Sequence, residues 1–89
     1  MAIQFEWDEA KARSNLRKHR VAFDEATTAF FDALSVTIPD PDHSLAEQRF
    51  LLIGTTVAGR LVVVAHTDRG SRIRIISAPA GDSPRTSNV

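Results

Sequence analysis

The feature that most constrains the fold is a series of short runs in which apolar and polar residues alternate. Four such runs follow one another at residues 34–38, 48–55, 60–68 and 72–77. Alternation with a period of two residues is typical of β-strands. Short turns at residues 56–59 and 69–71 separate the last three runs, and Pro39 and Pro41 end the first. Consecutive strands with short turns predict antiparallel hairpins.

The first third of the chain predicts one strand and two helices. Residues 3–7 alternate in the same way, which predicts a short strand. Asp8 then stands where the N-cap of a helix belongs, and residues 8–19 end in positive charge that suits a helix C-terminus. Asp24 is a second N-cap candidate, for a helix over residues 24–31.

The 89 residues are enough for one domain. We expect an α+β fold in the order β-α-α-β-β-β-β, with two N-terminal helices packed on a four- to five-stranded antiparallel sheet. Residues 1–78 form this domain. Pro79, Gly81 and Pro84 lie among small polar residues with no apolar period, so residues 79–89 are expected to be a disordered tail.

Composition narrows the classes of protein. The chain has no cysteine, which excludes disulfides and cysteine-based zinc sites. His43 and His66 lack the spacing of metal ligands, so we expect no metal or cofactor. No apolar run approaches the roughly 20 residues of a membrane helix, and the N-terminus does not resemble a signal peptide. These features lead us to expect a cytoplasmic protein that does not contact membrane.

The distribution of charge is more informative than its sum. Eleven basic and eleven acidic residues cancel, which argues against a general nucleic-acid-binding protein. Residues 58–78, however, hold four arginines against one aspartate. A basic stripe of this kind can bind a phosphate chain, with marked dependence on salt.

The last hairpin allows a prediction of which side chains share a face. If residues 69–71 form a three-residue loop, Asp68 lies opposite Arg72 and His66 lies opposite Arg74. One face is then almost entirely apolar, whereas the alternative register mixes arginine and valine on both faces. The cost of burying charge favours the first register. The charged face would carry the following residues: Arg60, His66, Asp68, Arg72 and Arg74.

That predicted face has the parts of a metal-independent ribonuclease. Cleavage needs a base for the 2′-hydroxyl proton, a cation for the charged phosphorane and an acid for the leaving oxygen. Arginine suits phosphate because it is bidentate and always charged. Two plainer interpretations stay open: alternating arginines are common on solvated strands, and Asp68 and Arg72 could be a simple cross-strand pair.

Two further groups are candidates for RNA binding. Lys18 and His19 belong to a basic patch at a helix end, which could also serve only to complement the helix dipole. His43 lies in a predicted loop, where it could be a second acid–base group if the loop folds over the sheet, or an ordinary turn residue. Trp7 is expected in the core, and the serines lack a neighbouring base for nucleophilic catalysis.

An ordered set of short motifs resembles the BrnT family of toxins. The set covers residues 3–78 and consists of Phe5-Glu6-Trp7-Asp8, Lys11, Asn15, Lys18-His19, Val21, Phe23, Glu25-Ala26, Phe30-Phe31-Asp32, Asp40-Pro41-Asp42-His43-Ser44, Arg49-Phe50, Ile53-Gly54, Gly59-Arg60-Leu61, His66-Thr67 and Arg72-Ile73-Arg74-Ile75-Ile76-Ser77-Ala78.

The resemblance implies a RelE/ParE-like fold and ribosome-independent cleavage of RNA. It also implies neutralisation by a cognate, DNA-binding, BrnA-like antitoxin in a hetero-oligomer, with operator DNA bound only through the antitoxin. It strengthens Arg60, His66, Arg72 and Arg74 as candidate catalytic residues, and Asp68 stays a candidate from its place on the predicted face. The corresponding candidates for RNA binding are Lys18, His19, His43 and Arg49.

The C-terminal end departs from the family pattern. Pro79 replaces an arginine, the prolines deny the helix that usually follows, and Asp68 replaces a glutamate. An alternative function is therefore a catalytically impaired homologue that binds its antitoxin in operon autoregulation. A third class is nucleic-acid binding without catalysis.

Overall fold

The computed structural model describes residues 3–40 and 48–80, and His43 lies outside them. The predicted order of elements is confirmed. The elements are β1 (Gln4–Trp7), α1 (Glu9–His19), α2 (Phe23–Thr28) followed by a 3-10 turn (Ala29–Phe31), β2 (Val36–Pro39), β3 (Arg49–Thr55), β4 (Leu61–Arg69) and β5 (Arg72–Ser77).

The five strands form one sheet in the order β1-β5-β4-β3-β2. Strands β2 to β5 are antiparallel neighbours, as predicted. Strand β1 lies parallel to β5, so the sheet is mixed and the prediction of a wholly antiparallel sheet is wrong. A short turn predicts antiparallel pairing only for the two strands that it joins. Strand β1 reaches the free edge of β5 from the other end of the chain, and no local pattern sets its direction.

Both helix starts were predicted from an aspartate, and one prediction is correct. The Asp8 side chain accepts a hydrogen bond from the Lys11 N–H at 3.1 Å, which caps α1. Asp24 is not a cap, because α2 begins at Phe23 with Ala22 as its N-cap. The earlier start places Phe23 in the core, with its ring 5.8 Å from that of Trp7. Burial of an aromatic ring outweighs a capping hydrogen bond.

The core lies between the two helices and one face of the sheet. Its buried side chains are Val21, Phe23, Ala26, Ala29, Leu52, Val62, Val64, Ile75 and Ala78. Trp7 packs partly buried against this cluster, as the sequence predicts. No helix in the described residues is long and apolar enough to cross a membrane.

A buried asparagine joins α1 to the end of β5. The side chain of Asn15 donates to the carbonyls of Val21 at 2.9 Å and Ala78 at 3.0 Å, and it accepts from the Ala78 N–H at 3.0 Å. The amide thus pairs with Ala78 as a neighbouring strand would. Since unpaired buried backbone groups are costly, this contact fixes where the helix lies against the sheet.

The register of the last hairpin differs from the predicted one. Arg69 pairs with Arg72 across a two-residue turn, and Gly70 has a φ of +71°. His66 therefore lies opposite Ile75, and Asp68 lies opposite Ile73. The predicted pairs His66 with Arg74 and Asp68 with Arg72 are wrong.

The observed register does not bury Arg72 or Arg74, although the cost of burying charge had argued against it. Arg72 and Arg74 lie on the face without helices, where their charged ends reach solvent. Of the two residues that move to the helix side, His66 is buried as an aromatic ring, and Asp68 stays exposed near the end of its strand. A glycine in the left-handed region is also the usual requirement of a two-residue hairpin turn.

The first two residues of the predicted tail lie beside β4. The carbonyl of Pro79 accepts from the Val63 N–H at 3.1 Å, and Ala80 forms a bridge with Val62. Residues 81–89 lie outside the described part of the chain. The division between a domain at residues 1–78 and a disordered tail therefore stays a prediction.

Candidate active site on the open sheet face

Two arginines and a glutamate meet on the sheet face opposite the helices. Arg72 and Arg74 are two residues apart on β5, so they point to the same face. Glu6 on β1 lies beside Arg74 in the parallel register. The Nη1 atoms of Arg72 and Arg74 lie 3.2 and 3.4 Å from the two carboxylate oxygens of Glu6. We call these three residues the cation cluster.

The ion pairs of the cation cluster are accessible to solvent. The side chain of Arg72 is 60% exposed, that of Arg74 is 37% exposed and that of Glu6 is 26% exposed. Exposed ion pairs stabilise a fold by about 0–1 kcal/mol. The pairs therefore hold the guanidiniums loosely, and another oxyanion with two oxygens could take the place of the carboxylate.

A row of side chains extends from the cation cluster across the sheet. Thr67 on β4 lies opposite Arg74, and Arg49 on β3 lies opposite Thr67. The Thr67 hydroxyl is buried and has no hydrogen-bond partner within the described residues. Arg49, a predicted RNA-binding residue, thus shares the open face with Arg72 and Arg74.

Sequence reasoning missed Glu6 and Thr67 as members of this site. Glu6 belonged to a motif, yet only the pairing of β1 with β5 places it between the arginines. Thr67 was missed because the predicted register of the last hairpin places it on the apolar face. The available signal for Glu6 was the alternation along β1, which places Gln4 and Glu6 together on the polar face of that strand.

His66 lies on the opposite face from the cation cluster. Its ring is 4.9 Å from that of Phe30, edge-on, and 5.8 Å from that of Phe50, stacked. Only 5% of the residue is exposed. Burial lowers the pKa of His66, although the Val64 carbonyl 3.2 Å from Nδ1 and the charge of Asp68 act in the other direction. The imidazole is therefore held neutral near pH 7.

Asp68 also faces the helix side, because it is two residues from His66 on the same strand. It is exposed near the tip of the hairpin. The structure therefore separates the predicted catalytic residues into two groups, with Arg72 and Arg74 on one face of the sheet and His66 and Asp68 on the other.

Arg60 lies at the far end of β4. Seven residues separate it from Thr67, which corresponds to about 23 Å along a strand. Its guanidinium donates to Glu25 at 2.9 and 2.5 Å and to the Arg20 carbonyl at 2.7 Å. Hydrogen bonds from Arg60, supported by one from Thr56, lower the pKa of Glu25. These contacts join the end of α1 and α2 to the turn before β4, and a part for Arg60 in catalysis stays a prediction.

Lys18 and His19 lie in the last turn of α1. Together with Lys11 they border a groove of about 160 Å³ whose other wall is Ile76 and Ser77 of β5. This groove begins two residues beyond Arg74 along the strand. Among the described residues, no group of three histidine, aspartate or glutamate side chains is placed to hold a metal ion.

The fold and the cation cluster define a small α+β protein with two arginines paired to one glutamate on the open face of its sheet. The sequence model of the ribonuclease toxin BrnT, of type II toxin–antitoxin systems, matches residues 7–81. The chain belongs to this BrnT family. Membership in a type II system implies a cognate antitoxin as partner.

The fold agrees with that assignment. A crystal structure of the Brucella abortus ribonuclease toxin BrnT, determined at 1.1 Å resolution, superposes with a TM-score of 0.71. The superposition covers 92% of this chain and 100% of that one, at 21% sequence identity. At this identity the likeness concerns the fold. No curated relative of the chain was found.

Proposed function

We propose that this protein is a ribosome-independent endoribonuclease toxin of RelE/ParE-like type, which cleaves RNA in the cytoplasm and thereby inhibits translation. A cognate, DNA-binding, BrnA-like antitoxin would neutralise it in a hetero-oligomeric complex. The observation that carries the proposal is the pair Arg72 and Arg74, both bound to one partly exposed carboxylate on the open sheet face.

The arginine pair supplies the cation that RNA cleavage requires. A phosphate of the RNA would replace the carboxylate of Glu6 on the two guanidiniums, which match its oxygens in geometry and charge. The same contacts become stronger as the phosphorane gains negative charge. Arg49 extends the positive row on the same face.

Glu6 is placed to act as the base. Once the phosphate occupies the arginines, the released carboxylate lies beside it and can accept the proton of the neighbouring 2′-hydroxyl. The 2′-oxygen then bonds to phosphorus and the bond to the 5′-oxygen breaks. The products are a 2′,3′-cyclic phosphate and a 5′-hydroxyl, the latter completed by a proton from solvent.

The remaining predicted residues have supporting parts in this proposal. Lys18 and His19 border the groove at the end of β5 and can hold the RNA chain further along. His66 and Asp68 are too far round the sheet to share the phosphate with Arg74, so their contribution must be to another part of the RNA. Arg60 would act on the fold through Glu25.

Growth of cells that express the protein without its antitoxin tests the proposal. Expression of the wild type is expected to arrest growth, and Arg74→Ala to relieve the arrest. Arg13→Ala, which removes an exposed arginine from α1, is the matched control and should arrest growth like the wild type. Arrest by Arg74→Ala at equal protein level would contradict the assigned site. Harmless expression of the folded wild type would favour the impaired, antitoxin-binding homologue.

A further inference from the structure

A groove on the helix side of the sheet has no role in the proposed cleavage site. This groove has a volume of about 350 Å³. The lining residues that matter here are Phe30, Ser35, Thr37, Phe50, His66 and Asp68. We propose that this groove is a nucleobase-binding site that selects a base with an exocyclic amino group. The inference rests on the proposed function, because RNA would supply the base.

The walls of the groove suit a flat aromatic ligand. The rings of Phe30 and Phe50 both pack against the imidazole of His66, with centroid distances of 4.9 and 5.8 Å. Unstacked RNA bases bind by stacking on such side chains. The volume falls within the range of about 300–1,000 Å³ that is usual for small-molecule sites, which is ample for one base.

The polar groups of the groove favour bases that donate hydrogen bonds. The carboxylate of Asp68 can only accept, and the hydroxyls of Ser35 and Thr37 can accept or donate. Within the described residues, none of these three side chains has a hydrogen-bond partner of its own. Guanine, adenine and cytosine carry an exocyclic amino group that can donate to Asp68, whereas uracil has no amino group and donates only through its ring N3–H.

The charge of the groove distinguishes it from the cation cluster. The neutral imidazole of His66 and the negative charge of Asp68 offer nothing to a phosphate, which the arginines on the other face attract. Because neighbouring residues of a strand point to opposite faces, Thr67 and Arg74 lie behind His66 and Ile73. An RNA chain that passes over the turn at Gly70 would place its phosphate on one face and its base on the other.

Nuclear magnetic resonance of the full chain tests the inference without any need for cleavage. The side-chain signals of His66 and Phe50 are followed during titration with the 5′-monophosphates of guanosine, adenosine, cytidine and uridine, and with inorganic phosphate. At least one amino-bearing nucleotide should shift both signals saturably, at least about tenfold more tightly than uridine monophosphate. Inorganic phosphate should leave both signals in place.

The variant Asp68→Asn supplies the matched comparison, since it changes an exposed acceptor into a group that also donates. It should remove the preference for amino-bearing bases. Equal affinity for all four nucleotides in the wild type would overturn the inference, and so would shifts of His66 by phosphate alone or no shift with any nucleotide. Selective binding of amino-bearing nucleotides by a protein that does not cleave RNA would refute the proposed function and support the proposed nucleobase site.

Discussion

In the proposed mechanism, Glu6 is the residue on which the chemistry of the open face depends. It binds two guanidiniums through its two oxygens, and it remains partly exposed. A carboxylate in this position keeps the arginines together until a phosphate replaces it. In the same mechanism it accepts the 2′-hydroxyl proton once it is released.

The substitution Glu6→Gln separates these two roles. It removes the negative charge and the base, so we expect cleavage to fall by about 10²-fold or more, while RNA binding becomes tighter because no anion competes for the arginines. Single-turnover cleavage and equilibrium binding measure the two effects. Glu9→Gln, an exposed acid in the first turn of α1, is the control. Cleavage by Glu6→Gln at the wild-type rate would show that the base lies elsewhere.

His66 should make stability depend on pH. Burial lowers its pKa in the folded state, whereas the unfolded chain has the ordinary value of about 6.5. Below that pH the unfolded state binds a proton that the folded state refuses, so the free energy of unfolding falls until the pH reaches the folded pKa. Urea denaturation between about pH 7.5 and about pH 5 measures this loss.

The substitution His66→Gln should reduce that pH dependence, because it removes the buried imidazole. His19→Gln removes an exposed imidazole from the end of α1 and serves as the matched control. An equal effect of the two substitutions would contradict burial as the cause.

Among the elements, the junction of α1 with β5 depends on one side chain. Asn15→Ala leaves the Ala78 N–H and two carbonyls without partners in a buried place. We expect a loss of about 2–4 kcal/mol in the free energy of unfolding. Urea denaturation measures it, with Arg13→Ala on the same helix as the control. A loss no larger than that of the control would show that water or a shifted backbone replaces the amide.

The elements also show what the sequence could predict. The order of strands and helices and the cap at Asp8 follow from local patterns of polarity, and the structure confirms them. The parallel pairing of β1 with β5 does not follow from a local pattern, since 68 positions separate Glu6 from Arg74. One residue of slip at Gly70 moved His66 to the other face. Register depends on the turn, and the polarity pattern alone tolerated both choices.

The candidate site was predicted in part. Arg72 and Arg74 were named from their charge and Arg49 from the family resemblance, and the structure places all three on one face of the sheet. Glu6 and Thr67 become members only through long-range pairing. Arg60 was grouped with them because it lies at an even spacing on the same strand, but even spacing does not reveal the distance along β4.

For the whole molecule, zero net charge limits how RNA can be held. Attraction must come from a few arginines on one face, because the protein has no general positive field. Binding should therefore weaken markedly as salt rises, with a slope set by the number of phosphates that the open face contacts. Cleavage assays belong at low salt for this reason.

The most direct test of the account is cleavage of a defined RNA by the purified protein, without ribosomes, at low salt and with a metal chelator present. The wild type should produce fragments ending in a 2′,3′-cyclic phosphate. Arg74→Ala should be slower by about 10²-fold or more, and Arg13→Ala should match the wild type. Absence of cleavage by the folded wild type, or equal cleavage by Arg74→Ala, would contradict an RNA-cleaving site on the open sheet face.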